Sequence, residues 1–429
     1  MEILNSRAKT WNIVTISRIN GYIDEETMTQ ALKRIQCRHP RLNSRIVRSW
    51  NSLSFQTQEP VNIPLRFVKA LDNYQWQEVV CQEMNQGIDS SKSLLRVVIV
   101  YVLGDEPINY LITTVHHAIA DGLSCIQLHS EILTFCQKIV SGEPINSVTS
   151  LTPLPPIEEL MPQWAKGFRG RINSTIFLLQ LGLKEIWNRP KTLGFEKYVP
   201  IAKRSCNIIH RKLDQELTQK FVSCCRQENT TVHNALCAAM MLTVARTITK
   251  GRRKDIRVNC LSYLDLRRHL EPAISDEHLA ILASSLMQFH LLKPNSSFWE
   301  LAREVQYKLE VSKKHGELFR MVLIAKNLID FCFIFPKKIA ATVSVSNVGK
   351  ISIPKNYGNF ELEEISFISS NSLFAGIFAI HVSTFQGKML LNFAFSQPSI
   401  SKNTMEHLVD DLMSNIFDIC NLNDHFFRI

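Results

Sequence analysis

His116-His117-Ala118-Ile119-Ala120-Asp121-Gly122 is the stretch on which the reading of this chain turns. It ends an apolar, β-branched run, Tyr110 to Val115 (YLITTV), which predicts a buried strand. It precedes Leu123 to Val140, where Ile126, Ile132, Leu133, Cys136 and Ile139 recur at helical spacing. HHxxxDG arises by chance in roughly one chain in a thousand of this length. Neighbouring side chains on a strand face opposite ways, so one histidine addresses a reaction and the other the core. An imidazole with an ordinary pKa near ~6.5 accepts a proton at neutral pH, which suits general-base work on a hydroxyl or amine. Asp121 can hold the turn or pair with a buried arginine, and Gly122 permits a sharp turn. No metal is expected, because His117 and Asp121 lack a third ligand. A Ser-His-Asp hydrolase would need a nucleophile elbow, and GxSxG does not occur in the sequence.

Outward from the motif the chain predicts an α+β protein. Strands are expected at Trp11 to Ile19 and Leu94 to Leu103, with a helix from Asp24 to Arg38 stopped by His39-Pro40. The first lobe is placed at residues 1–140. A crossover and a basic amphipathic helix follow at 141–205: Ser141 to Leu160 carries four prolines, and Gln163 to Arg189 interleaves Lys166, Arg169, Arg171, Lys184 and Arg189 with apolar residues. The commoner arrangement for such a segment is a surface helix covering one lobe, the alternative a membrane-surface or lipid-substrate lid. The second lobe, 206–429, predicts strands at Cys206 to Leu213, Ile256 to Leu264, Ser284 to Leu292, Thr342 to Ser346, Ile377 to Thr384 and Lys388 to Phe395. Its helices are expected at Asp214 to Gln227, Thr231 to Thr247 and Lys402 to Phe417.

With 429 residues, 45% of them apolar and 21% charged, the composition excludes disordered and collagen-like classes. Glycine, at 15 residues, is scarce, and neither GxGxxG nor GxxxxGK[ST] occurs, which counts against nucleotide-binding loops. The eleven scattered cysteines form no CxxC pair, and Met1 to Arg7 lacks a secretory pattern, so a cytoplasmic protein is expected, with membrane association as the alternative. The apolar runs Thr175–Leu183 and Met321–Phe335 fall short of the ~20 residues of a span. The net charge of +10 does not predict nucleic-acid binding, since no aromatic-basic pattern accompanies it.

The motif HHAIADG resembles the active-site motif of the chloramphenicol acetyltransferase-like superfamily, which includes peptide-synthetase condensation domains, alcohol acetyltransferases and polyketide-associated acyltransferases. Met28 to Leu42 is similar to the first helix and its RHPxL ending, and Asp89 to Arg96 (DSSKSLLR) to the approach to the central strand, with Ser93 where proline is usual. Leu264 to Arg267 resembles the DxR segment, and Val345 to Lys350 the SNxG turn. The resemblance implies two similar lobes with mixed sheets flanked by helices, and an active-site tunnel between them. It implies that His117 is the general base, supported by His116, Asp121 and Gly122, and that Asp121 is salt-bridged to Arg267 or Arg268. A pair with swapped charges is then expected to recover stability. Ser346 and Asn347 are expected to line the tunnel.

The implied reaction moves an acyl group from a thioester donor, acyl-CoA or an acyl carrier protein, to an alcohol or amine acceptor. No bound cofactor is expected; CoA or phosphopantetheine enters as a co-substrate. The DFGWG motif of plant-type transferases does not occur, and no carrier or adenylation segment accompanies the chain, so a freestanding, monomeric O-acyltransferase is expected. Two other readings are a non-catalytic carrier- or lipid-binding member and a condensation-type epimerase or cyclase. Lys250 to Lys254 (KGRRK) offers a phosphate site, or simply a solvated turn.

Overall fold

The computed structural model describes residues 1–421 apart from 51, 58–60, 105–106 and 146. The chain opens with α1 (Glu2–Arg7), β1 (Asn12–Asn20), α2 (Glu25–Arg38), the hairpin β2 (Ser44–Arg48) and β3 (Leu53–Thr57), β4 (Leu65–Ala70) and α3 (Trp76–Asn85). Then come β5 (Leu95–Val102), β6 (Ile108–His116) and α4 (Gly122–Val140). The crossover holds α5 (Ile157–Leu160) and α6 (Gly167–Asn188). The second half runs β7 (Ser205–Leu213), α7 (Gln215–Gln227), α8 (Val232–Thr249), β8 (Ile256–Asp265), β9 (Ala283–Leu292), α9 (Phe298–Lys314), α10 (Glu317–Ile334) and β10 (Val343–Lys350). It ends with β11 (Asn356–Tyr357), β12 (Phe360–Ser369), β13 (Phe378–Phe385), β14 (Lys388–Gln397) and α11 (Lys402–Asn421).

Two mixed six-stranded sheets result, in the orders β11-β12-β1-β6-β5-β4 and β7-β14-β13-β10-β8-β9. Parallel pairs occur at β4–β5 and on both sides of β10. The α+β, two-lobed expectation therefore holds. On one face of the first sheet, Met28, Leu32 and Ile35 of α2 and Ile126, Leu133 and Cys136 of α4 bury against Leu111 and Val115 of β6. Asp24 starts α2 by accepting the Thr27 N–H. In the second lobe α8 is buried around nearly its whole length, its alanines and methionines packing on Val258, Cys260, Val343 and Phe393. The other face of the first sheet, with Val14, Ile16 and Ile112, meets Trp76 and Val80 of α3 and Cys206 and Ile208 of β7, joining the lobes.

The division of the chain at residue 206 needs one correction. β11 and β12 belong to the C-terminal stretch, yet they complete the first lobe's sheet, with Ile13 of β1 opposite Ser369. The second lobe holds this strand from behind: Ser383 Oγ donates to the Ile365 carbonyl at 2.8 Å, and Asn392 Nδ2 to the Phe367 carbonyl at 3.0 Å. No strand was predicted there, because FELEEISFIS breaks its alternation at Glu363-Glu364. At that point the pairing with β1 slips by one residue between Arg18 and Ile19, and Glu363 forms an ion pair with Arg18.

The RHPxL segment acts on α4 rather than on a substrate. His39 Nε2 lies 2.5 Å from Glu131, and Arg38 Nε 3.2 Å from the same carboxylate. Arg96 reaches Glu83, fully buried on α3, at 2.5 Å, and Ser93, where proline is usual, bonds the Leu95 carbonyl through Oγ. Lys250 takes a left-handed conformation at the end of α8, and residues 250–254 (KGRRK) are exposed. Among the described residues no helix is long and apolar enough to cross a membrane.

Candidate active site

β6 is the buried central strand, and its ladder with β1 continues one residue beyond His116 through the His117 N–H to the Trp11 carbonyl. The backbone then turns, closed by the Ile119 N–H on the His116 carbonyl at 3.1 Å. The two histidines consequently face opposite ways. His116 is fully buried; its Nδ1 accepts the Ala118 N–H, and its Nε2 lies 2.9 Å from the Glu2 carboxylate of α1. Burial pushes the Glu2 carboxyl up, but the contacts with His116 and Ser90 outweigh it and hold it below its ordinary value.

His117 faces a cavity of about 110 Å³ between the lobes. Its Nδ1 donates to the Ala120 carbonyl at 2.9 Å, which assigns the proton to that nitrogen and leaves Nε2 as the acceptor. A backbone carbonyl, not a carboxylate, thus orients the ring. Burial lowers its pKa to about 4 despite the opposing charge of Asp121, so at neutral pH the imidazole is unprotonated. Trp11 lies parallel to it, ring centres 5.9 Å apart and planes inclined by 14°.

Asp121 caps α4. Its Oδ1 accepts the Ser124 N–H and Oγ–H, each at 2.9 Å, in a capping box. The same carboxylate takes Arg267 in a two-point grip, Nη1 to Oδ2 at 2.9 Å and Nη2 to Oδ1 at 3.0 Å, and also accepts the Leu282 N–H at 2.9 Å. Arg267 is the partner, and Arg268 is exposed. Burial pushes the Asp121 carboxyl up, but Arg267 and the two N–H groups hold it below its ordinary value. Arg267 also binds Asp265 at 2.7 Å, the internal pair of the DxR segment. Gly122 is required for space rather than for a special turn: a Cβ there would sit 2.8 Å from the Phe367 ring of β12.

Ser346 lines the cavity, but Asn347 is not among the lining residues; its Oδ1 accepts the Gly349 N–H at 2.8 Å and shapes the turn after β10. Most other lining residues were not legible as such in the sequence, among them Trp11, Ser369 and His381. His381 Nε2 is 2.8 Å from Ser369 Oγ, and burial lowers its pKa to about 4. The available signal was a lone histidine between Ala379 and Ser383 on one face of a largely apolar strand. Trp11 Nε1 is a buried donor with no hydrogen-bond partner among the described residues.

Residues 1–152 match the family model of the Condensation domain, and residues 203–394 that of the phthiocerol/phthiodiolone dimycocerosyl transferase C-terminus. A probable alcohol acetyltransferase of Fusarium pseudograminearum is 23% identical over 327 residues, which is 70% of this chain and 65% of that relative, just under two thirds of its length. The trichothecene 15-O-acetyltransferase of Fusarium sporotrichioides superposes with a TM-score of 0.75 at 11% identity, covering 96% of this chain and 92% of that one. The first condensation domain of the calcium-dependent antibiotic synthetase gives 0.72 at 14%, covering 98% and 94%. At these identities the structures establish the two-lobed fold.

Two outcomes are expected for the clamp. Arg267→Met leaves a buried carboxylate uncompensated and costs ~3–5 kcal/mol in urea unfolding. Exchanging the two residues does not recover that loss, contrary to the simple pair reading, because an arginine at 121 cannot accept the Ser124 and Leu282 N–H groups. Gly122→Ala costs ~1–3 kcal/mol through overpacking, and Phe367→Leu in the same chain restores part of it.

Proposed function

We propose that this chloramphenicol acetyltransferase-like protein is an acyltransferase that moves an acyl group from a thioester, acyl-CoA or acyl carrier protein, to a hydroxyl acceptor. The observation that carries the reading is the state of His117: neutral, oriented through Nδ1, and with Nε2 facing a cavity walled by both lobes. The family matches and the alcohol acetyltransferase relative support the reaction class, and that relative favours O-acyl over N-acyl transfer.

In this mechanism His117 Nε2 takes the acceptor's proton as its oxygen attacks the thioester carbonyl carbon. The carbonyl electrons move onto oxygen, and the tetrahedral intermediate carries a negative charge. Collapse reforms the carbonyl and breaks the C–S bond, and the departing thiolate recovers the proton from His117. Asp121 touches no reacting atom; it holds the turn that carries His117.

Incubation with a mixed pool of acyl-CoA and acyl-carrier donors and a panel of alcohols and amines, read by mass spectrometry, tests the reaction. His117→Ala with an intact fold is expected to lose turnover by ~10²–10⁴-fold; equal turnover would remove His117 from the mechanism. Carrier binding without product from any donor would favour a binding protein, and rearrangement of a tethered group without a second substrate an epimerase or cyclase. Because the His117 base form is lost only as the pH drops through about 4, kcat/KM should show no inflection near 6.5.

A further inference from the structure

The crossover helix α6 has two apolar faces, and the protein covers only one. Gly170, Ser174, Phe177 and Leu181 lie on one side of the helix, where Phe177 packs on Met321 and Ile324 of α10. At ~100° per residue Phe168, Ile172, Leu179 and Leu183 fall on the opposite side. That side meets solvent: Phe168 is 79% exposed, Leu179 64%, Leu183 66% and Trp187 82%. The stripe spans a helix of 22 residues, about 33 Å long at 1.5 Å per residue. A continuous apolar face of this length calls for an occupant.

The charges bordering the stripe say which. Residues 163–191 hold Lys166, Arg169, Arg171, Lys184, Arg189 and Lys191 against a single carboxylate, Glu185. Glu185 is already paired with Lys338 at 3.4 Å. Arg169, Arg171, Lys184 and Arg189 are exposed and make no ion pair among the described residues. By helical position Arg171 flanks the stripe on one side and Arg169 on the other, with Lys184 further round beyond Arg169. An outward apolar stripe with cations on both borders, on a helix unable to span a bilayer, matches the boundary between acyl chains and anionic headgroups.

We propose that α6 docks this protein on the surface of an anionic lipid bilayer, lying in the plane of the interface with Phe168, Leu179, Leu183 and Trp187 among the acyl chains. The cationic borders meet the headgroup phosphates. This surface is separate from the His117 cavity and does not depend on the reaction proposed for it.

The test is flotation of the full chain with phosphatidylcholine vesicles made with and without phosphatidylglycerol. Binding is expected only with the anionic lipid, and it should weaken as salt is raised. Leu179→Glu with Leu183→Glu should lower binding by about tenfold or more, and Arg169→Glu with Lys184→Glu by a similar factor. All four positions are exposed, so the melting temperature and circular dichroism should stay those of the parent chain. In the unaltered protein, brominated acyl chains should quench a tryptophan signal that Trp187→Phe removes. Absence of binding to anionic vesicles at low salt would overturn the proposal, as would binding that the Leu179/Leu183 change leaves intact. A dimer that the same change dissociates would assign the stripe to a second copy of the chain and overturn it equally.

Discussion

One buried carboxylate holds the site in place. Asp121 receives hydrogen bonds from the start of its own helix and from Arg267 and Leu282 of the opposite lobe. It therefore fixes three things at once: where α4 begins, how the turn from His117 to Ala120 closes, and how closely the second lobe approaches. Ser124 reinforces this by accepting the Asp121 N–H through Oγ at 3.0 Å. Desolvating a carboxylate is costly, and full coordination by charged and neutral donors compensates for it. The clamp acts on the catalytic geometry indirectly, because the Ala120 carbonyl that orients His117 sits in the turn that the clamp closes.

Burial shapes the chemistry of the cavity as well as its form. His117 and His381 reach it from different lobes, and desolvation holds both unprotonated. His129, by contrast, is a satisfied core histidine, held between Ser17 and Thr113 at 2.7 Å on either side. The three residues share an ionisation state, but only those bordering empty space can act on a substrate. Both ring nitrogens of His129 are occupied, whereas His117 has a single ring nitrogen bonded among the described residues.

What could be read from the sequence followed how local each signal was. HHxxxDG, the apolar strand before it and the helix after it are contiguous, so the strand-to-turn junction and the opposed histidines were legible. The identity of Arg267 came from resemblance and left Arg268 open; the three-dimensional reach of the guanidinium decides between them. Gly122 was legible as a residue but not for its reason, because the Phe367 ring it must admit lies far along the chain. Trp11 and His381 were not legible as site residues, since each looks like an ordinary core side chain until the lobes meet. The outward stripe of α6 showed the converse limit: periodicity reveals an amphipathic segment but not which of its faces the protein covers.

The position of β12 sets an order of events during synthesis. The first sheet needs a strand ending at Ser369 to pair with one beginning at Asn12, so everything through Ser369 must leave the ribosome before that sheet can close. Until then β1 offers an unpaired edge, and the Phe367 ring that borders Gly122 is missing. Such long-range pairing makes for slow closure and a period of exposure to wrong partners, for which chaperone assistance is the usual remedy. A nascent chain halted in the crossover would carry the complete HHxxxDG motif yet have neither Arg267 to close its turn nor a second wall for its cavity.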